Sequence, residues 1–382
     1  MKIQNWKSPL VWFLMLLLSG CVEPYFPEVL ESPNSYLVVN GFLNANGTTT
    51  IQLLRTQNLN ENVPPPAETQ AQVTVESEAG EKYTLFETEK GMYRSYNMQL
   101  ALNKKYRLLI RTIKGMQYAS DFVEVKNTPA IDNVKWRPVN EEVQVFVDTH
   151  DEGNNTRYYR WEYEQTWQFR SALFSTIKYE NGVVSYREPS DKPIYNCWRS
   201  ENSNTIELGS SIKLNSDVIS DYKLLSLPRN SEKIAIKNSI LVKQYALSRE
   251  AYEYWETLKK NTESIGTLFD PLPSQLTSNI RSLSDPKEPV IGFLTASTMQ
   301  QKRIFIDSKD LPEEWRLYYT SCPTDTVLIS SGRVNELFKD GVLIPVDEVY
   351  GVSPSPIGYT YAPRSCVDCT LRGTNVKPVF WE

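Results

Sequence analysis

Tyr106-Arg107-Leu108-Leu109-Ile110-Arg111 is the stretch whose reading decides the fold. Tyr106, Leu108 and Ile110 alternate with Arg107, Leu109 and Arg111. A period of two is what a strand needs when one of its faces lies on a core. The alternation recurs on both sides of this segment. Upstream are Tyr36 to Phe42, Thr48 to Leu54, Gln72 to Glu76 with Val73 and Val75 on one face, the pair Tyr83 and Leu85, and then Tyr93; downstream is Gln117 to Val125. Asn46-Gly47, Ala79-Gly80, Lys90-Gly91 and Lys114-Gly115 fall in the breaks and read as turns. About seven strands in about 90 residues is the pattern of an immunoglobulin-like sandwich, assigned to residues 36–127. Arg55 to Gln70 interrupts it with Pro64-Pro65-Pro66 and reads as a long exposed loop, the first candidate binding element.

Thr128-Pro129 marks a boundary. Val134, Trp136, Val143, Val145 and Val147 then resume the alternation, and Tyr159, Trp161 and Tyr163 oppose Arg160, Glu162 and Glu164. These are the opening strands expected of a fibronectin-III-like sandwich, with Trp161 in the core of the third. Phe169 to Asn238 has no long periodic run and reads as a large insertion with short strands. Ser239 to Leu247 returns to strand character. A helix follows, with Ser248 as its cap and Glu250 in its first turn. Ala251, Trp255 and Leu258 share one face, Lys259 and Lys260 suit the carboxyl end, and Gly266, Pro271 and Pro273 lie past it. Pro289 to Thr295 and Arg303 to Asp307 read as strands, and Arg333 to Asp340 as a short helix. The expected fold is therefore mainly β: an N-terminal immunoglobulin-like sandwich, then over 128–382 a fibronectin-III-like β domain with a long insertion, one or two short helices and a cysteine-containing tail.

Met1 to Gly20 reads as a secretory signal, with basic Lys2 and Lys7 before the apolar run Leu10 to Leu18. That run is too short to span a bilayer. It ends in Leu18-Ser19-Gly20-Cys21, the junction that a lipoprotein signal peptidase accepts. Cys21 is thus the expected lipidation site, carrying palmitate-type acyl chains that insert into a membrane. Residues 21–35 form an extended tether, with Pro24, Pro27 and Pro33. Glu23, Glu28 and Glu31 give it an acidic start that reads either as similar to the surface-export signals of Bacteroidota lipoproteins or as a solvated acidic tether.

The chain has 382 residues, a net charge of -5 and one His. The negative charge argues against nucleic acid as a partner. A single imidazole excludes mechanisms that need two. Apart from Cys21, the cysteines are Cys197, Cys322, Cys366 and Cys369. An even number in an exported protein points to structural disulfides, with three pairings open. Cys366 and Cys369 form a C-x-x-C, but no βαβ pattern surrounds it, and a zinc ribbon needs a second close pair.

No catalytic set stands out, and no cofactor is expected. His150 sits in Asp148-Thr149-His150-Asp151 and reads as an exposed turn residue. The sequence holds no Gly-x-Ser-x-Gly, P-loop, dinucleotide fingerprint or His-Glu-x-x-His. Glu141-Glu142 and Glu313-Glu314 read as solvated pairs, and Asp151, Asn154 and Asn155 as a turn rather than a calcium site. The aromatic run from Tyr158 to Phe169 reads mainly as core, with outward members available as a ligand platform.

The chain resembles a Bacteroidota outer-membrane lipoprotein family, domain of unknown function 4249. The resemblance rests on Cys21 followed by Glu23-Pro24-Tyr25, on Tyr36 to Gly41, on Gly91-Met92-Tyr93 and Tyr106-Arg107-Leu108, and on Tyr159-Arg160-Trp161. It continues through Cys197-Trp198, Ser248 to Tyr252 with Trp255, Phe269-Asp270-Pro271, Gly292-Phe293 and Lys302-Arg303. Cys366 to Cys369, Arg372 to Asn375 and Pro378 to Trp381 complete it. The family offers no catalytic residues. It implies an outer-membrane location and a TonB-dependent transporter barrel as partner. The expectation is a non-enzymatic, lipid-anchored accessory protein in nutrient capture. The alternative is a surface adhesin or envelope-structural lipoprotein that binds a glycan or matrix component.

Overall fold

The computed structural model describes residues 35–57, 63–96, 98–263, 276–315 and 322–381. The signal segment, Cys21, nearly all of the tether, and Gly266, Pro271 and Pro273 lie outside the described residues, as do 58–62 of the proline-containing loop. Strands dominate. The first eight are β1 (Leu37–Asn44), β2 (Thr50–Arg55), β3 (Gln72–Ser77), β4 (Lys82–Glu89), β5 (Met92–Arg94), β6 (Lys105–Arg111), β7 (Gln117–Ser120) and β8 (Val123–Glu124). The alternation of β6 is realised: Tyr106, Leu108 and Ile110 are buried and Arg107 and Leu109 only partly so. Gly41 does not end β1; its φ of 139° lets the strand continue past a Thr50 carbonyl that a Cβ would strike at 2.3 Å.

The second unit contains β9 (Ile131–Val139), β10 (Glu142–His150), β11 (Tyr158–Arg170), the hairpin β12 (Ile177–Glu180) and β13 (Val183–Tyr186), β14 (Asn196–Asn202), β15 (Glu207–Ser210), β16 (Val218–Pro228) and β17 (Lys237–Ala246). Helix α1 (Arg249–Glu263) follows, then β18 (Ile280–Ser282), β19 (Ala296–Ser297) and β20 (Met299–Asp307). The sheet β16-β10-β9 faces the sheet β14-β11-β17-β20. This is the layer arrangement of a fibronectin-III-like sandwich. Its core joins Val143, Val145, Val147 and Leu225 of one sheet to Tyr159, Trp161, Ile240, Val242 and Ile306 of the other.

The stretch Phe169 to Asn238 is therefore not one insertion. β14 and β16 are integral strands of the sandwich, and only the hairpin β12–β13 and its flanks leave it. The strand signal of β16 is blurred because its register against β10 shifts twice and Asp221 has a φ of 53°. Bulges place Leu224 and Leu225 both in the core and break the period of two.

Chain connectivity also differs from two consecutive blocks. β18 pairs with β7, and β19 runs parallel to β1. The first unit is one ten-stranded sheet, ordered β18-β7-β6-β3-β4-β5-β2-β1-β19 with β8 beside β6. It curls because β4 pairs through its first half with β3 and through its second with β5. Its core includes Ile280, Val290, Leu294 and Ala296 beside Leu37, Ile51, Val75 and Leu108. Residues 280–297 thus belong with 36–127 in packing, although in sequence they lie between β17 and β20 of the second sandwich.

The connection between the units is pinned. The Thr128 N–H donates to Thr298 Oγ1 at 2.8 Å, and Thr128 Oγ1 accepts from the Ala246 N–H at 3.0 Å. Phe42 meets Tyr245 edge to face at 4.9 Å.

A buried polar cluster closes one end of the second sandwich. The hydroxyls of Tyr159 and Ser211 both donate to the Asp217 carboxylate, and the Asp217 N–H donates to Asn154 Oδ1 at 2.6 Å. Burial, then the hydrogen bond to Asp217, pushes the Tyr159 phenol far above its ordinary value. Tyr159→Phe is expected to lower the unfolding free energy by about 1.5–3 kcal/mol, because a buried carboxylate loses one of its donors. Urea unfolding measures this; an unchanged midpoint would show that the carboxylate needs only Ser211.

The tail forms β21 (Asp325–Leu328), β22 (Leu343–Tyr350) and β23 (Pro356–Pro363), ordered β21-β23-β22, with a short helix at Val334–Phe338. Hairpin β12–β13 leans on β22 through the bond from the Thr176 N–H to Val346 O at 2.9 Å. Cys197 bonds Cys369, and Cys322 bonds Cys366. The C-x-x-C cysteines therefore do not pair with each other; each staples a different part of the chain.

Candidate functional site

A cleft of about 650 Å³ opens where the two units and α1 meet. That volume is in the range of small-molecule sites, which favour domain junctions. One wall is Asp121 to Lys126, running through β8, with Lys105 at the start of β6. The second is the amino end of α1, with Ser248 and Glu250, and the third is the returning chain at Thr277 to Asn279 and Phe293 to Ala296.

Each wall has a local cause. Ser248 caps α1 as expected, its Oγ accepting from the Ala251 N–H at 3.2 Å. The Glu250 N–H and the Ser248 hydroxyl hold the Glu250 carboxyl below its ordinary range. Ala251 and Tyr254 are the buried residues of α1. Tyr254 packs on Phe293 at 5.1 Å, while Trp255 lies 4.2 Å from the Arg160 guanidinium. Asn279 clamps the returning chain: Nδ2 donates to Leu294 O at 2.9 Å, and Oδ1 accepts from the Leu294 N–H at 2.8 Å. Asp121 pairs with Arg281, and Lys126 with Glu124 at 2.5 Å. The rings of Phe122 and Phe293 give the cleft apolar surface among these charges. Such a lining suits a small amphipathic ligand with hydroxyl or amide groups. Sequence reasoning named Ser248 and Glu250 only as capping residues; nothing local marks Asn279 or Phe122, because the fold alone brings them together.

The other expected residues are placed as follows. The return half of the Arg55 to Gln70 loop is docked on β2: the Glu68 N–H donates to Leu53 O at 3.0 Å, and Arg55 Nε meets Glu68 at 2.5 Å. Among the described residues of the loop, Val63 to Pro66 and Gln70 are exposed. In the aromatic run, Tyr159, Trp161, Trp167 and Phe169 are buried on one face of β11, so they form core and not a platform. Trp167 and Phe169 pack with Cys197 and Cys369. His150 is exposed at the end of β10, with Nδ1 2.7 Å from Asp132 and Nε2 3.9 Å from Glu152. The bond to Asp132, then its charge, raises the imidazole pKa. The Asp151 carboxylate accepts from the N–H groups of Gly153, Asn155 and Thr156, which makes a turn. Among the described residues, no three His, Cys, Asp or Glu side chains gather as metal ligands, and no helix is long and apolar enough to cross a membrane.

A family model named Domain of unknown function (DUF4249) matches residues 22–303. The chain belongs to this family. The DUF4249 match begins directly after Cys21 and ends within β20, so it contains all three walls of the cleft. The tail with β21 to β23 and Cys322, Cys366 and Cys369 lies beyond it. No curated protein matches the chain. Among solved structures, it is similar to a "putative carbohydrate binding protein" from Bacteroides uniformis ATCC 8492, at 9% identity and a TM-score of 0.17, over 56% of this DUF4249 chain and 91% of the other. A likeness that distant says nothing about a ligand.

Proposed function

We propose that this DUF4249 protein is a non-enzymatic, lipid-anchored binding protein of the outer membrane that assists a TonB-dependent transporter in nutrient capture. The observation that carries this reading is Leu18-Ser19-Gly20-Cys21 at the end of an apolar run. Acylation there gives a chain held in lipid by two or more acyl groups. Fifteen tether residues reach roughly 50 Å when extended, enough to hold both units clear of the headgroups. The cleft at their junction is the ligand site.

Cys21→Ala is expected to move the protein from the membrane pellet to the soluble fraction and to abolish radiolabelled palmitate incorporation. Unchanged pelleting would remove the anchor. The partner is tested by extracting the wild-type protein in mild detergent. Recovery with a barrel supports the transporter role, and recovery alone counts against it.

A second reading, a surface adhesin for a glycan, is favoured by one feature. Tyr186 and Tyr350 are exposed, and both hydroxyls donate to Glu348. Two rings fixed by a carboxylate give a sugar a stacking face and an acceptor. Glycan-array binding that Tyr350→Ala abolishes, with no barrel recovered, would favour this reading.

A further inference from the structure

A separate cavity of about 490 Å³ lies between hairpin β12–β13, the segment 187–194 and the tail sheet. Its charges do not cancel. Three carboxylates line it: Glu180, Asp191 and Asp368. Lys178 engages Asp191 at 2.6 Å and Glu180 at 3.1 Å, and Arg364 engages Asp368 at 2.9 Å. Arg187 and Lys192 line the same cavity, and neither forms an ion pair among the described residues.

Arg187 is held from behind. Its Nε donates to Ser175 Oγ at 3.2 Å, and Ser175 is buried, with its hydroxyl 2.9 Å from Pro345 O. The two terminal nitrogens have no hydrogen-bond partner among the described residues. Burial lowers the Arg187 pKa, partly opposed by the nearby charges of Asp191, Asp368 and Glu180, none of which forms an ion pair with it. A guanidinium fixed through Nε presents its remaining edge as a planar two-pronged donor, the geometry that matches a carboxylate or phosphate. Phe338 and Leu343 line the same cavity and give apolar surface for the body of a ligand.

We propose that this cavity binds a small ligand through an oxyanion, a carboxylate or a phosphate, with Arg187 as the two-pronged donor and Lys192 as the second positive charge. The site is distinct from the junction cleft and does not depend on the lipid anchor.

Calorimetric titration of the full-length protein in detergent tests it, with inorganic phosphate, glucuronate and, as neutral control, glucose. One saturable site is expected for phosphate, for glucuronate or for both, and none for glucose; the anion that saturates identifies the ligand's charged group. Arg187→Gln should weaken binding about tenfold or more, the loss of a charge-assisted pair. Lys192→Gln, on an exposed residue, should weaken it about threefold with the melting temperature unchanged, and it decides the matter if the Arg187 variant misfolds. Absence of saturation by either anion below roughly 10 mM, or wild-type affinity in the folded variants, would overturn the proposal.

Discussion

Trp161→Ala is expected to destabilise the second sandwich by about 3–5 kcal/mol, a large part of the stability of an ordinary domain. Trp161 is 0% exposed. Its indole stacks on Tyr222 at 4.4 Å and lies parallel to Tyr159 at 5.8 Å. Removing it leaves a cavity between the two sheets. It also strands a polar group: Trp161 Nε1 donates to Gln244 Oε1 at 2.8 Å, while Gln244 Nε2 donates to Pro129 O and Thr149 Oγ1, each at 2.9 Å. Gln244 is fully buried, so its oxygen would have no replacement donor. Because Pro129 lies in the connection between the units, the damage should reach the junction cleft. The backbone of Gly209 shows how closely the ring is held, since a Cβ there would lie 2.5 Å from it. Urea unfolding provides the test. Trp161→Phe, which keeps a six-membered ring but loses the fused five-membered ring with its N–H donor, should cost less than alanine. An alanine variant within about 1 kcal/mol of wild type would mean that the core repacks freely around the loss.

The second large effect is expected from opening the Cys197–Cys369 bridge. Its sequence separation is 172, and closing a loop that long restricts the unfolded chain by about 5 kcal/mol in the chain-entropy model. The Cys322–Cys366 bridge, with a separation of 44 inside that loop, changes this little, and because measured disulfide contributions are typically smaller than the model value, about 2–4 kcal/mol is the expected loss. The double substitution Cys197→Ser with Cys369→Ser avoids mispairing. Both cysteines are buried against Trp167 and Phe169, so two hydroxyls would also enter an apolar cluster. Reciprocal backbone bonds between Trp198 and Thr374, at 2.7 and 2.9 Å, now hold the tail on β14. With the bridge open, proteolysis should trim the chain after Leu371 while the curled sheet and the sandwich survive. A tail that resists protease at the wild-type rate would show that the backbone bonds suffice.

Much of the architecture was legible because it is local. Tyr106, Leu108 and Ile110 announce a half-buried strand by themselves, as do Tyr159 and Trp161, and Ser248 announces a helix start. What was hidden depends on distant partners or on irregular backbone. β16 lost its period to bulges opposite Val145 and Val147. β18 and β19 are too short to carry a pattern, and only their pairing with β7 and β1 reveals their membership of the first sheet. The four cysteines gave three pairings, and the choice came from β11 and β14 placing Cys197 beside Cys369. The junction cleft had no signature, because Phe122, Glu250 and Phe293 are ordinary residues until the fold collects them. Arg187 was equally silent: an arginine in a loop becomes informative only once its neighbours are known to be engaged elsewhere.

The lipid anchor is tested most directly by mass spectrometry of the amino-terminal peptide from the native, membrane-extracted protein. The account predicts a peptide that begins at Cys21, lacks Met1 to Gly20 and carries the added mass of its acyl chains. A peptide in which Cys21 is a free thiol would contradict it, and the transporter role would lose its support.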